Sequence, residues 1–268
     1  MKIIDARVRL RTSQLMKAWT SNLKPYFKNY IKLYKMQERI SIMDNQILID
    51  HAASSGIKKM VVCGGNQEDN KHIINISKEF NQIIPVAGIN INDGILSAMK
   101  EVDRNIDNVA AFNISPFMSK LNNDDKLLYP IYGLCELYHK PIIIHGSLHY
   151  WNETSLNHSN PLLIDNIAVD FPNLKIIMSH GGNGFGDLAL IVAQRHHNVF
   201  LEFSALYPRH MDQRFIKAAN TYLKNKCIFG TDYPLCEFDD YIQLWKNTIN
   251  EENWDLFFYQ NIERVLLK

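Results

Sequence analysis

The sequence predicts an α/β protein of the (β/α)8 TIM-barrel class, formed by a single domain over residues 1–268. Short apolar, β-branched runs alternate with amphipathic segments, and from the second run onward they recur at roughly 25–35 residues, the length of one strand–helix unit. Several runs lack the polar alternation of half-exposed strands, which is typical of parallel strands buried on both faces. Eight such units in 268 residues favour a closed barrel over the alternative, a doubly wound open sheet.

Each predicted element follows from its own residues. Runs rich in Ile, Val and Phe are predicted as strands at 2–10, 59–63, 83–89, 109–113, 141–145, 175–179, 199–203 and 227–230. Amphipathic segments between them are predicted as helices at 40–55, 70–80, 127–138, 162–171, 188–195 and 213–224. Residues 254–268 are predicted to form an extra C-terminal helix that closes the structure.

The connection after the first strand, about residues 11–38, is long for a strand–helix loop. Its lysines and its tyrosines lie on opposite faces of a predicted inserted helix: Lys24, Lys28 and Lys32 against Tyr26, Tyr30 and Tyr34. We interpret the insert as a helix whose aromatic face packs on the barrel mouth, where it could act as a lid. The alternative is a helix that binds a membrane surface or nucleic acid.

The charge balance argues against a dedicated nucleic-acid-binding protein. The chain carries 29 Lys and Arg residues against 28 Asp and Glu residues, a formal net charge of +1, whereas such proteins show a basic excess. No apolar stretch approaches the roughly 18 residues of a membrane-spanning helix, and Asp5 interrupts the position of a secretory signal. Four cysteines without CxxC spacing indicate core thiols. We expect a cytoplasmic protein with no nucleic-acid or membrane partner, and leave a homodimer open.

Polar residues lie on or directly after several of the predicted strands, toward the end where the active site of such a barrel lies. They are Arg7, Arg9, His145, His180, Glu202, Ser204 and Asp232. Two histidines and an aspartate at one barrel mouth suit either metal binding or proton transfer. Strict alternation along the first strand predicts Asp5, Arg7 and Arg9 on one face, with Ile4, Ala6 and Val8 on the other.

Four segments resemble the amidohydrolase superfamily, in the branch typified by aminocarboxymuconate-semialdehyde decarboxylase. They are PIIIHG at 141–146, FPNLKIIMSHGG at 171–182, IFGTDYP at 228–234 and QNIERVLLK at 260–268. The resemblance implies a distorted (β/α)8 barrel in which Asp232 accepts a proton from water or substrate. It also implies that His145 and His180 bind a metal or polarise the substrate.

The first strand departs from that superfamily pattern. Members usually read D-x-H-x-H there, with both histidines holding a divalent ion, whereas this chain reads Asp5-Ala6-Arg7-Val8-Arg9. A guanidinium has no lone pair to donate and stays protonated, so it cannot ligate a cation. We therefore expect no metal or other cofactor, although zinc or manganese on His145, His180 and Asp232 remains the alternative. Arg7 and Arg9 are expected to bind an anionic group or a developing oxyanion, unless they point outward to helix carboxylates.

Two further features of the sequence bear on ligand binding. The glycines after His180 open a helix and Glu202 ends the next strand, an arrangement that superficially resembles a dinucleotide-binding unit. The superfamily resemblance explains the same glycines as a tight turn. Tyr207 and Arg209, in the loop after the seventh strand, are further candidates for substrate contact.

These residues together predict a hydrolase of a small, anionic, carboxylated substrate of the ester, lactone or amide type. Asp232 is the expected general base, and His145 and His180 the groups that orient the substrate and move protons. Two alternatives stay open. One is a metal-dependent hydrolase or decarboxylase, the latter a lyase, with a reduced site. The other is a catalytically inactive barrel that binds an anion.

Overall fold

The computed structural model describes residues 1–20 and 25–268, and it gives no side-chain surroundings for residues 18–20 and 25–27. Lys24 and Tyr26 of the predicted insert therefore lie outside the described side chains. Eight parallel strands of the described chain form one sheet in sequential order. They are β1 Ile3–Val8, β2 Ile57–Cys63, β3 Ile83–Ile89, β4 Ala111–Ile114, β5 Ile142–His145, β6 Ile176–Ser179, β7 Val199–Glu202 and β8 Cys227–Ile228.

Backbone hydrogen bonds between the first and last strands close this sheet into a barrel. The Ala6 amide donates to the Phe229 carbonyl at 3.1 Å, and the Asp232 amide donates to the Arg7 carbonyl at 2.9 Å. The (β/α)8 class is thus confirmed, and the open doubly wound sheet is wrong. Closure also brings residue 7 next to residue 232, which the sequence separates by almost the whole chain.

Helices cover the outside of the barrel. Those of the described chain are α1 Ser13–Thr20, α2 Pro25–Leu33, α3 Asn45–Ser54, α4 Gln67–Glu79, α5 Ile95–Asn105, α6 Tyr129–Leu137, α7 Pro161–Asp170, α8 Leu188–Arg195, α9 Gln213–Asn220, α10 Phe238–Lys246 and α11 Asn261–Leu266. The extra C-terminal helix is confirmed as α11. Within residues 1–20 and 25–268, every helix is too short or too polar to span a bilayer.

Capping side chains explain where two helices begin. The Asp44 carboxylate accepts from the amides of Gln46 and Ile47, at 2.8 and 3.4 Å, so α3 starts later than predicted. The Asn66 side chain accepts from the amides of Glu68 and Asp69, so α4 starts earlier. Such caps satisfy amides that have no partner within the helix, and they override the hydrophobic pattern in setting a helix boundary.

The inserted connection forms α1 and α2, and its aromatic residues pack at the barrel mouth. The Tyr30 ring lies 4.6 Å from that of Tyr34 and 5.2 Å from that of Tyr150, which belongs to the loop after β5. The Tyr34 ring lies 6.4 Å from that of Tyr207, in the loop after β7. Aromatic pairs at such separations are attractive, so the insert is fixed against loops of two other strand–helix units.

Two apolar clusters hold the barrel together. One lies between the sheet and the helices. The other fills the barrel interior, and Ile262 and Val265 of the C-terminal helix close it at the lower end, opposite the carboxyl ends of the strands. The strand residues of the inner cluster are Ile4, Ala6, Val61, Cys63, Ile84, Val86, Ala111, Ile143, Ile177, Phe200 and Ile228. Because this packing blocks the lower end, the interior is open to ligands only at the carboxyl ends of the strands.

The first strand is irregular, and the predicted strict alternation is wrong there. Ile4 and Ala6 belong to the inner cluster, whereas Val8 belongs to the outer one. The register between β1 and β2 shifts between Asp5 and Val8, as in a β-bulge, which changes the face that later side chains occupy. After this shift the Arg7 side chain points into the barrel, where it meets a residue of β7.

Replacement of Ile262 tests the closure of the barrel from below. The side chain is 1% exposed, so we expect Ile262→Ala to lower the free energy of unfolding by about 2–5 kcal/mol. Leu267→Ala is the control, since that side chain is 42% exposed and its loss should change stability by about 0.5 kcal/mol or less. Urea denaturation followed by circular dichroism measures both. Equal small losses in the two variants would contradict the proposed packing.

Candidate active site

His145 ends β5 on the inner face of the barrel, two residues after Ile143 of the inner cluster. Its ring lies 5.1 Å from the His180 ring and 4.7 Å from the Phe117 ring. Burial, with smaller contributions from His180, His149 and Arg7, lowers the pKa of His145 well below its usual value. The imidazole is therefore neutral at pH 7. Its Nδ1 atom is buried without a hydrogen-bond partner among the described residues.

His180 follows β6 in the left-handed backbone region, with φ at 57°. Such a conformation is uncommon for a residue with a side chain, and strain of this kind often marks functional positions. Gly182 follows at φ 72°, and a Cβ there would lie 2.1 Å from the Ala189 side chain. The glycines are needed for a tight turn against α8. This turn aims the His180 Nδ1 atom at Ser204, 3.1 Å from its carbonyl oxygen and 3.0 Å from its hydroxyl oxygen.

Arg7 and Glu202 form an ion pair inside the barrel. The Arg7 Nε atom donates to Glu202 Oε2 at 3.2 Å, and the two side chains are 14% and 1% exposed. The same carboxylate accepts from the Ser204 amide at 2.5 Å and from the Ser204 hydroxyl at 3.0 Å. A buried carboxylate needs such partners, because leaving it unpaired would cost several kcal/mol. Arg7 is thereby held to one side of the barrel interior.

One nitrogen of Arg7 remains available for a ligand. Its Nη2 atom is buried and has no hydrogen-bond partner among the described residues. Unsatisfied buried donors are rare in folded proteins, and a charged one is especially costly. We call the part of the barrel interior at the carboxyl ends of the strands the chamber. A carboxylate or an oxyanion there would satisfy this nitrogen with a charge-assisted hydrogen bond.

Asp232 stands at the same mouth, after β8, with its backbone in the left-handed region at φ 58°. Burial raises the pKa of its carboxyl, while electrostatic interactions with His180, Arg7 and Arg9 lower it. The five predicted residues are thus linked through neighbours: the rings of His145 and His180 lie 5.1 Å apart, and Asp232 interacts with His180, Arg7 and Arg9.

Asp5 lies beneath this group and was not predicted to interact with the last strand. It is fully buried and accepts from the Thr231 amide at 2.9 Å, the Thr231 hydroxyl at 2.6 Å and the Arg7 amide at 3.1 Å. Burial raises its pKa to about 7, although the bonds from Thr231 oppose that shift. Asp5 therefore joins β1 to the segment that carries Asp232.

Two more residues face the chamber without a role in the sequence-based prediction. Glu202 was recognised only as a polar strand end, and Cys63 only as a core thiol. Cys63 ends β2 and is 7% exposed; burial raises its pKa, and the charges of Arg7 and Arg9 counteract that rise. Alternation along β2 and β7 is the sequence signal that could have placed them. Val61 and Phe200 face the barrel interior two positions before Cys63 and Glu202, so the later residues face it too.

Tyr207 and Arg209 lie farther out than the five inner residues. They line a cavity of about 450 Å³ at the barrel mouth, together with Tyr34, Lys35 and other loop residues. The Arg209 guanidinium lies 5.4 Å from the centre of the Tyr207 ring, a distance at which a cation and an aromatic face attract. The five inner residues and the residues that line this cavity are thus two separate sets of groups that could contact a ligand.

Two of the inner residues, Arg7 and Arg9, are chemically unsuited to ligate a divalent ion. Arg7 and Arg9 stand near Asp232, and guanidinium groups repel cations rather than ligate them. Among residues 1–20 and 25–268, no group of three or more His, Cys, Asp or Glu side chains is placed to hold a metal.

Comparison with known proteins identifies the family. The amidohydrolase family model matches residues 34–267. The chain belongs to the amidohydrolase family. This confirms the resemblance seen in the strand-end motifs, and with it the expectation of an enzyme. No curated protein matches the chain.

Solved structures share the fold of this amidohydrolase over its whole length. An uncharacterized TIM-barrel protein, Bb4693, from Bordetella bronchiseptica has a TM-score of 0.85 at 24% identity, covering 99% of this chain and 98% of that one. The 5-carboxyvanillate decarboxylase of Novosphingobium aromaticivorans, complexed with manganese, has a TM-score of 0.74 at 13% identity (99% and 96% covered). The 4-oxalomesaconate hydratase LigJ of Rhodopseudomonas palustris has a TM-score of 0.68 at 17% identity, covering 98% of this chain and 95% of that one.

The raised pKa of Asp5 gives a testable pH dependence of stability. The folded state holds a proton up to about pH 7, whereas the carboxyl of the unfolded chain ionises near its ordinary pKa of 3.8. Stability contributed by the protonated form is therefore present at low pH and lost as the pH rises toward 7. Between about pH 5 and 8, we expect the free energy of unfolding of wild type to fall by about 3 kcal/mol relative to that of Asp5→Asn.

Thermal or urea unfolding at several pH values measures this difference. Asp93→Asn, at an exposed aspartate before α5, is the control and should show no relative change over that range. A difference between wild type and Asp5→Asn that is constant with pH would show that Asp5 is ionised in both states.

Proposed function

We propose that this amidohydrolase hydrolyses an ester, lactone or amide bond in a small carboxylated substrate, with Asp232 as the general base. The observation that carries the proposal is the buried Arg7 guanidinium, which stands close to the Asp232 carboxylate and keeps Nη2 without a partner among the described residues. A base and a fixed positive charge at one barrel mouth are what attack of water on a carbonyl requires.

Asp232 takes a proton from water as the water oxygen attacks the carbonyl carbon. Burial raises its pKa, which makes it a stronger base than an exposed aspartate, while the nearby arginines keep the ionised form accessible. The carbonyl oxygen becomes an oxyanion, and Arg7 stabilises that charge through Nη2. When the tetrahedral intermediate collapses, the proton held by Asp232 passes to the leaving oxygen or nitrogen.

His145 and His180 orient the substrate in this scheme. His145 is neutral, so it offers a hydrogen bond without adding charge, and its unpartnered Nδ1 atom is suited to a polar group of the substrate. His180 is held at Nδ1 by Ser204, which leaves Nε2 on the far side of the ring for substrate or water. Arg9 binds the substrate carboxylate in this scheme, while Arg7 Nη2 faces the developing oxyanion.

Tyr207 and Arg209 would contact the part of the substrate that extends into the outer cavity. Support comes from their position on its wall and from the cation–aromatic contact that fixes Arg209. We also propose a cytoplasmic location, which the four buried free cysteines support.

Decarboxylation or hydration is the second candidate. The observation that favours it is the shared fold with a decarboxylase and a hydratase, and the same arginines would stabilise a negative charge that develops on carbon or oxygen. The products separate the two candidates. Hydrolysis of an ester or lactone releases a new carboxylic acid and no CO₂, whereas decarboxylation releases CO₂.

The first experiment is a screen of carboxylated esters, lactones, amides and unsaturated acids, followed by the Asp232→Asn variant on any substrate found. We expect kcat to fall by about 10²–10⁴ in the variant, because it keeps the shape of the side chain and removes the base. Asp239→Asn, at an exposed aspartate of α10, is the control with unchanged kcat. Wild-type turnover by Asp232→Asn would remove Asp232 from the mechanism, and CO₂ without a new acid would favour the second candidate.

The second experiment concerns the divalent ion. We expect the purified enzyme to contain well under one equivalent of zinc or manganese by elemental analysis, and to keep its activity and melting temperature after chelation. The reason is the pair of guanidinium groups at the site, which repel a cation. About one equivalent of metal, lost together with activity and restored by its addition, would contradict the proposal.

A further inference from the structure

We infer that Glu202 is a positioning residue that fixes Arg7 in place and sets the hydrogen-bonding state of His180 through the Ser204 hydroxyl. The inference deepens the proposed function, since it rests on that proposal for the roles of Arg7 and His180. Glu202 itself touches neither water nor substrate in this scheme.

The surroundings of Glu202 are those of a fixed structural charge. The residue is 1% exposed, and its two oxygens accept three hydrogen bonds, from Arg7 Nε and from the Ser204 amide and hydroxyl. A Cβ on Gly230 would lie 2.6 Å from Glu202 Oε1. The neighbouring segment therefore provides room for this carboxylate only because residue 230 is glycine.

The direction of each hydrogen bond follows from the chemistry of the groups. A carboxylate only accepts, so the Ser204 hydroxyl donates its hydrogen to Glu202 Oε2 at 3.0 Å. The hydroxyl oxygen can then only accept from His180 Nδ1, at 3.0 Å, and the Ser204 carbonyl, at 3.1 Å, likewise only accepts. His180 must therefore carry a hydrogen on Nδ1, and in its neutral form the lone pair is on Nε2.

Loss of the carboxylate would change both neighbours. In Glu202→Gln the amide nitrogen takes the place of one of the two oxygens. At the Oε1 position it conflicts with the Ser204 amide, and at the Oε2 position it conflicts with Arg7 Nε and releases the guanidinium. The same nitrogen can donate to the Ser204 oxygen, which frees the hydroxyl hydrogen to point at His180 Nδ1. The tautomer of His180 with its hydrogen on Nε2 then becomes populated, although the Ser204 carbonyl still opposes it.

The first readout is the tautomer of His180, measured by ¹⁵N NMR on histidine-labelled protein at a pH where the ring is neutral. We expect a single Nδ1–H form in wild type and a mixture in Glu202→Gln. In the double variant Glu202→Gln/Ser204→Ala the single Nδ1–H form should return, because the donating hydroxyl is gone and the carbonyl remains. A residue that only supported the fold would not produce this reversal.

The second readout is the binding of malonate, used as a dicarboxylate probe, by isothermal titration calorimetry. We expect Glu202→Gln to bind malonate about tenfold or more weakly than wild type. The reason is that the released guanidinium no longer holds the position in which it makes a charge-assisted hydrogen bond to a malonate carboxylate. Ser204→Ala should keep malonate affinity within about twofold, because the pair of Arg7 and Glu202 is untouched. Arg7→Met should lose the binding, which assigns it to this arginine.

Glu101→Gln is the matched control. Glu101 is also a buried glutamate, 7% exposed, and it pairs with Arg104 on α5, away from the barrel interior. It should change neither readout. Glu202→Asp replaces Glu202→Gln if the latter does not fold. It retains the carboxylate and should keep the Nδ1–H form, while binding malonate more weakly through the longer gap to Arg7.

An unchanged tautomer and unchanged malonate affinity in Glu202→Gln would overturn the inference, as would failure of the double variant to restore the single form. Neither readout needs catalytic turnover. The positioning role can therefore fail while the proposed hydrolysis stands, and hydrolysis can fail, through an unaffected Asp232→Asn, while the positioning role stands.

Discussion

The buried ion pair of Arg7 and Glu202 is the interaction on which the rest of this site depends. Two opposite charges lie inside a barrel, where each alone would carry a large desolvation cost, and they remain there because each satisfies the other. A guanidinium held in this way puts a permanent positive charge next to Asp232. In the proposed function this charge is the group that binds an anion or a developing oxyanion.

The other titratable groups of the chamber respond to burial in different ways. Burial raises the pKa of Asp5 and Asp232 and lowers that of His145. The result is a neutral imidazole and a carboxylate of increased basicity close to one fixed cation. Environments that separate the protonation states of neighbouring groups are characteristic of acid–base sites, and here the separation follows from the barrel interior rather than from any single contact.

The barrel confines this chemistry to one end. The inner apolar cluster and α11 fill the lower part, so polar side chains gather only in the last layer of the strands. Above them, tyrosines of α2 and of the loops after β5 and β7 pack on one another. The outer cavity of about 450 Å³ is lined by three of these tyrosines, Tyr34, Tyr150 and Tyr207.

Local sequence patterns specify the periodic elements and the strand ends at which polar residues collect. Local apolar runs encode strands, and polar residues at their carboxyl ends, such as His145 and Asp232, could be read in order because each belongs to one element. The partner of Arg7 could not, because Glu202 lies 195 positions away and only barrel closure and strand register bring the two together. The bulge between Asp5 and Val8 was equally hidden, since strict alternation is a property of an ideal strand. Pairings and irregularities depend on the three-dimensional fit of distant segments, and that fit is decided by the tertiary structure.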